Sequence, residues 1–398
     1  MPFLLVLILQ LLILTSACSH KMDKEAVGAD DPCANAVGNG NEIIAGPPGP
    51  SGGDDDQVFR SLEVDPYNPD VVYLGTERNG IVKTSDGGIT WRRLRRGLRH
   101  SIDGYAEVWD IAVSPFDSGL VLAATAGSPG PVGYPDSDAG VYRSADGGST
   151  WARSNCGLTN SYALCVRFDP GDSAGIVLGI GAGKATFSAL LGQPFDGALL
   201  FSNDGGLIWN PAAAPAGMER NVFWVLRPAG PGGFVTFGLC FEDTSQNLGF
   251  LRSEDGGRTW SAFAPSLRTK RITAFDVSAD GRTLIAVERD AFKIRKSDDG
   301  GSSWLTLASQ ANGPVKISPS DKNIILFCGH VNAYRSINGL QSWDAVLVEE
   351  DRIDDVEFAP SKPNILYLAT QGYGFYKSSD SGATWSHVIN LRAAGILN

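Results

Sequence analysis

The sequence has no basic excess, no membrane-length apolar run and no ordered cysteine array, and each absence closes off a class of protein. Against 33 Lys and Arg stand 44 Asp and Glu, for a net charge of −11. A general nucleic-acid binder displaces counterions with a basic footprint, so nucleic acid is not an expected partner. The long apolar run, Phe3 to Leu14, is shorter than the ~20 residues a spanning helix needs. The six cysteines follow no zinc-ligand spacing and carry no catalytic-cysteine signature. No metal and no other cofactor is expected. No helix-length periodicity interrupts the chain, which argues against a second folded domain. What is abundant is glycine, 48 of 398 residues, well above the usual ~7%. With 43% apolar residues, the chain has the makings of a turn-rich fold with a buried core.

The N-terminal apolar run ends in Leu14-Thr15-Ser16-Ala17-Cys18. Small residues before a cysteine resemble the lipobox of bacterial lipoproteins, which implies an export signal over 1–17 and a lipid on Cys18. The expected location is extracytoplasmic, periplasmic or at the cell surface, with membrane attachment through lipid rather than a span. An ordinary cleaved signal and secretion is the alternative. Residues 18–56, poor in large apolar side chains and containing Gly46-Pro47-Pro48-Gly49-Pro50 and Asp54-Asp55-Asp56, read as a tether. Cys156 and Cys165 are close enough in sequence to pair in an oxidising compartment. Cys240 and Cys328 lie in apolar runs and read as buried thiols.

After residue 56 one motif dominates. Thr84-Ser85-Asp86-Gly87-Gly88-Ile89-Thr90-Trp91 returns as Ser144 to Trp151 and as Ser202 to Trp209. It recurs as Ser253 to Trp260, Ser297 to Trp304, Ser336 to Trp343 and Ser378 to Trp385, and so takes seven of nine tryptophans. The carboxylates Asp86, Asp146, Asp204, Asp255, Asp299 and Asp380, with Asn338 in the sixth copy, can accept bonds from turn amides. Glycine supplies positive φ where a hairpin reverses, and Trp91, Trp151, Trp209, Trp260, Trp304, Trp343 and Trp385 can each bury a flat face against the turn. This motif resembles the Asp-box, or bacterial neuraminidase repeat, of sialidases, sortilin-type receptors, photosystem II assembly-factor propellers and xyloglucan-hydrolysing endoglucanases. In those families it holds a hairpin and is not the active site. Before each box two strand-like runs flank a turn such as Asp65-Pro66-Tyr67-Asn68-Pro69-Asp70. Repeated short strands with regular turn signals predict an all-β fold. It is a single seven-bladed β-propeller over 57–390, with four-stranded antiparallel blades, an Asp-box in each C–D hairpin and a short tail at 391–398.

With strands lettered A to D from channel to rim, the A–B turns and Asp-boxes share one face. The B–C and D–A loops, which vary most at 92–106, 126–139, 183–197 and 242–249, share the other. Long loops on a rigid scaffold usually carry binding. Glu77, Arg78, Glu288, Arg289 and His330 fall at the ends of B strands, and Tyr105, Trp109, Trp224, Arg271 and Arg352 at the starts of A strands. Aromatic faces beside Arg and acid side chains suit a glycan or protein ligand. The run Trp91 to His100, with five arginines, reads equally as an anion-binding strip and as a solvated strand edge. The protein is expected to act as a monomer.

An enzyme reading makes specific demands. Sialidases carry Phe/Tyr-Arg-Ile-Pro on the first inner strand; Phe59-Arg60-Ser61-Leu62 matches only its first half. Glycan hydrolysis otherwise needs two carboxylates ~5 to 9.5 Å apart. The xyloglucanases resemble Val72 to Lys83, with an aspartate base where Glu77 falls, but build their cleft between two propellers, and this chain has repeats for one. The expected function is binding without catalysis, with a glycoside hydrolase using Glu77 and Glu288 as the alternative.

Overall fold

A computed structural model describes residues 43–44, 59–77, 79–101, 104–105, 107–126, 139–181, 197–240, 243–349, 351–372 and 374–396. Seven antiparallel sheets follow one another along the chain, each built from four consecutive strands. The inner strands are Phe59–Val64, Glu107–Val113, Ala163–Asp169, Leu226–Pro228, Ile272–Val277, Val315–Ile317 and Ile353–Phe358. Each neighbours the next, and the seventh returns to the first. The fold is a single seven-bladed β-propeller. The first blade gains a fifth strand, Ile43–Ile44, paired antiparallel with Arg92 and Trp91, so part of the expected tether joins that blade's rim.

The second strand of each blade explains why its sequence is apolar without alternation. Val121 and Ala123 pack toward the first blade, whereas Leu122 and Ala124 pack toward the third. A strand inside a ring of blades has a neighbour on both faces, so both parities are buried. The core is therefore seven layers, each shared by two adjacent blades. The layer closing the ring joins Leu62 and Trp91 to Tyr367 and Phe375, and takes in Leu391 and Ile396 from the expected tail.

The repeated turn has the bonding its composition predicts. Asp86 Oδ1 accepts from the Ile89 and Thr90 amides at 3.0 and 2.9 Å, and its Oδ2 from the Thr90 hydroxyl at 2.6 Å. The Thr84 hydroxyl accepts from the Gly88 amide at 2.9 Å, and the Trp91 indole donates to the Gly88 carbonyl at 2.9 Å. Gly88 has φ 102 and abuts Phe375 of the seventh blade, where a Cβ would come within 2.6 Å. Asn338 keeps the pattern by accepting from the Ser342 amide at 3.0 Å and donating to its hydroxyl at 2.8 Å. The Ser303 and Thr384 hydroxyls, with the turn amides, hold the carboxyls of Asp299 and Asp380 down at about 2.

Cys165 is a free, buried thiol while Cys156 is disulfide-bonded, so the two do not pair. Cys165 lies in an inner strand and its Sγ faces the Phe223 carbonyl of the next blade at 3.1 Å, a direction that sequence proximity to Cys156 does not fix. Cys240 and Cys328 are buried free thiols. Residues 1–42 and 45–58, with the export signal and Cys18, lie outside the described residues.

Candidate functional site

Inner strands face a channel, and one position in them is charged in six blades: Glu63, Arg167, Arg227, Asp276, Lys316 and Glu357, with Ala112 in the second. Each stands one residue before an apolar side chain, which ends the strand in every blade but the third, where Asp169 follows Phe168. One layer up stand Asp110 and Asp355. Opposite charges from different blades pair across the channel wall: Arg167 with Asp110, Lys316 with Glu357, and Arg227 with Asp276 at 3.1 Å. The carboxylates also bond to amides of the following blade. Asp110 accepts from Val166 at 2.9 Å, Asp276 from Ile317 at 2.6 Å, and Asp355 from Leu62 at 3.1 Å, the last closing the ring. No sheet pairing joins one blade's inner strand to the next, which leaves those amides without sheet partners, and a short acidic side chain from next door supplies them. Burial raises the carboxyls of Asp276 and Asp355 despite nearby cations. It pushes Glu63 up to about 8, with Arg167 and Lys316 opposing and Glu357 and Asp110 reinforcing.

At the end where inner strands begin, the channel opens into a cavity of about 390 Å³. This is the face opposite the repeated turns. Five of the sequence-predicted residues line it: Trp109, Trp224, Arg289, His330 and Arg352. The two tryptophans are those that the repeat does not use. With Tyr162 they pack on Ala126, Leu164 and Val222 to form one wall. Arg289, His330 and Arg352 come from blades five to seven, opposite that wall in the ring order. Arg352 is oriented by Asp354, which accepts from its Nε and Nη2 at 2.9 and 2.6 Å. Among the described residues no group of three or more His, Cys, Asp or Glu is placed to hold a metal ion.

Other expected residues are placed elsewhere. Arg78 lies outside the described residues. Glu288 is buried and bound by Arg295, whose Nε donates at 2.9 Å, with Lys270 at 3.7 Å. It is held between strands two and three of its blade rather than in the cavity wall. Arg271 approaches Asp290 at 3.8 Å, and neither it nor Glu77 or Tyr105 lines the cavity. Tyr105 instead lies under Arg95, at 5.1 Å from the guanidinium.

Arg95 also shows what the arginine run does. It is buried, donating to the Asn79 carbonyl at 2.8 Å and to Asn79 Oδ1 at 2.9 Å. Arg93 donates to the Gly395 and Ile396 carbonyls at 3.0 and 3.2 Å. The run thus supports loops and the C-terminal segment, and of its five arginines only Arg92 and Arg96 are exposed. The channel charges are a site that the sequence reading missed, although the signal is present: a charged residue at one fixed place before the A–B turn in six of the seven inner strands.

The fold and the mouth together define the class: a one-propeller protein with a polar channel and an aromatic-and-basic cavity on one face. No family model and no curated protein matches the chain. Solved structures do resemble it. One is an ancestral GH74 enzyme, with TM-score 0.62 and 14% identity over 85% of this chain and 48% of that one. Another is YCF48 bound to a D1 peptide, with TM-score 0.56 and 15% identity over 84% of this chain and 96% of that one. A third is the GH74 xyloglucanase from Xanthomonas campestris, with TM-score 0.51 and 15% identity over 82% and 60%. The chain spans about half the length of the ancestral GH74 enzyme. At these identities the likeness concerns the fold.

Proposed function

We propose that this protein is an exported Asp-box propeller that binds a glycan or protein partner at the channel mouth, opposite the Asp-boxes, without catalysing a reaction. The observation that carries this reading is the cavity itself, where Trp109 and Trp224 face a polar side bearing Arg289, His330 and Arg352. A flat apolar wall with a few polar groups across from it is the usual make-up of a ligand site. Each carboxylate lining the cavity is already engaged: Asp110 by Arg167, Asp354 by Arg352, and Asp355 by the Leu62 amide. Glycoside hydrolysis asks two carboxyl groups to trade protons with the substrate or attack it, and side chains held this way suit wall construction better. YCF48, solved with a bound D1 peptide, is a precedent for a protein partner on this fold. The GH74 enzymes favour the second reading, a hydrolase.

The deciding experiment is a glycan-array and peptide-library screen run beside hydrolysis assays on fluorogenic glycosides. Binding without turnover is expected, weakened by Trp109→Ala. Turnover abolished by Glu77→Gln or Glu288→Gln would establish the hydrolase instead.

We further propose that lipid on Cys18 holds the mature protein to its membrane. Cys18→Ala is expected to move the protein into the soluble fraction, and unchanged membrane partition would remove the anchor.

A further inference from the structure

We propose that the ligand of the channel mouth is an acidic glycan, held through a carboxylate-bearing sugar unit whose flat apolar face lies on the tryptophan wall. The inference rests on the binding role proposed above and narrows it to one ligand class.

Three observations carry it. The cavity is two-sided: Trp109 and Trp224 stand on blades two to four, and Arg289, His330 and Arg352 on blades five to seven. A sugar ring offers carbon–hydrogen faces to aromatic rings, and a sugar acid adds a carboxylate at its edge. The second observation is how charge is spent along the channel. The deeper cations Arg167, Arg227 and Lys316 are each paired with an acid of a neighbouring blade. Arg289 and His330 at the mouth are exposed, and neither side chain has a partner among the described residues. Arg352 keeps 40% of its side chain exposed while Asp354 fixes its orientation. A chain of net charge −11 thus presents uncommitted positive charge at an opening where an aromatic wall also stands. Anions are held by such arginines through short, charge-assisted bonds.

The third observation separates a glycan from a peptide. Peptides commonly bind by adding a strand to an open sheet edge. Here the channel-side amides of Leu62, Val166 and Ile317 already donate to Asp355, Asp110 and Asp276. The inner edges of these three blades are therefore closed to strand addition at those amides, and the cavity of about 390 Å³, the size of a small-ligand site, leaves recognition to the side chains around it.

The test is calorimetric titration of the full chain with three probes: a galacturonate trisaccharide, the neutral galactose trisaccharide and a glutamate-rich peptide. The acidic trisaccharide is expected to bind at least about tenfold more tightly than the neutral one, and Arg289→Ala to remove about tenfold for the acidic sugar alone, as befits one charge-assisted contact. Binding should weaken as salt is raised. Arg289 and His330 are exposed, so Arg289→Ala and His330→Ala should melt with the parent protein, and that measurement separates a binding loss from a folding loss. Equal affinity for both sugars would overturn the ligand class while leaving the binding role standing. Binding of the peptide alone would overturn the glycan. Tight binding of the acidic sugar unaffected by either substitution would overturn the site, and failure of all three probes would overturn the inference.

Discussion

Asp110→Ala is expected to lower the stability of the folded protein by ~3 to 5 kcal/mol, the usual cost of stripping one partner from a buried ion pair. Asp110 is buried, and its Oδ2 serves two groups of the third blade at once: the Arg167 guanidinium and the Val166 amide at 2.9 Å. Alanine leaves that amide without an acceptor and Arg167 with carbonyl oxygens and the more distant Glu63 and Glu357 for company. Asp110→Asn retains an acceptor for the amide and should lose less. The double change Asp110→Ala with Arg167→Met should cost less than the sum of the two singles, because the second removes the charge that the first strands. Urea denaturation of the four proteins measures all of this. A loss below ~1 kcal/mol for Asp110→Ala would mean that water in the channel already screens the pair.

A comparably large effect is expected from Glu63, and it depends on pH. An unfolded glutamate titrates near 4.5, and in the fold burial pushes Glu63 up to about 8. Between those values the folded state holds a proton that the unfolded state has lost. Stability from this group is therefore present at low pH and declines as pH rises, by roughly 1.4 kcal/mol per pH unit for one proton. The groups that face it are Arg167, Glu357, Asp110 and Lys316. Glu63→Gln cannot ionise, so its stability relative to the parent protein should climb from about pH 5 to about pH 8 and then level off. Asp276 and Asp355 are also raised by burial and tilt the parent curve in the same direction, but both proteins share them. Denaturation midpoints of parent and variant across that range give the difference directly. A difference that stays flat would show that Glu63 ionises in the fold as it does in water.

Much of this molecule is legible in its sequence because the repeated turn is a local device. Asp86 bonds to residues three and four positions away, and the motif occurs seven times, so blade number, hairpin position and the shared face of the turns follow without long-range information. The mouth residues Trp109, Trp224, Arg289, His330 and Arg352 were reachable for the same reason: antiparallel order puts strand starts and the B–C loops at one end. Glu288 shows where that reasoning stops. Its place at the end of a B strand is as expected, but whether it faces the cavity or Arg295 depends on side-chain parity and on a neighbour in the next strand.

What the sequence by itself determined is the architecture: an all-β ring of seven four-stranded blades with structural turns on one face and variable loops on the other. Only the tertiary structure decided which charges meet. Asp110 and Arg167 belong to different blades, Lys316 and Glu357 likewise, and Asp355 closes on Leu62 across 293 positions of sequence. Arg95 turned inward on Asn79, whereas Arg289 stayed exposed at the mouth. A turn is specified by residues within a few positions of one another, so its signal survives in one dimension. An ion pair across a channel is specified by the radius and register of the closed ring, and those exist only once all seven blades have packed.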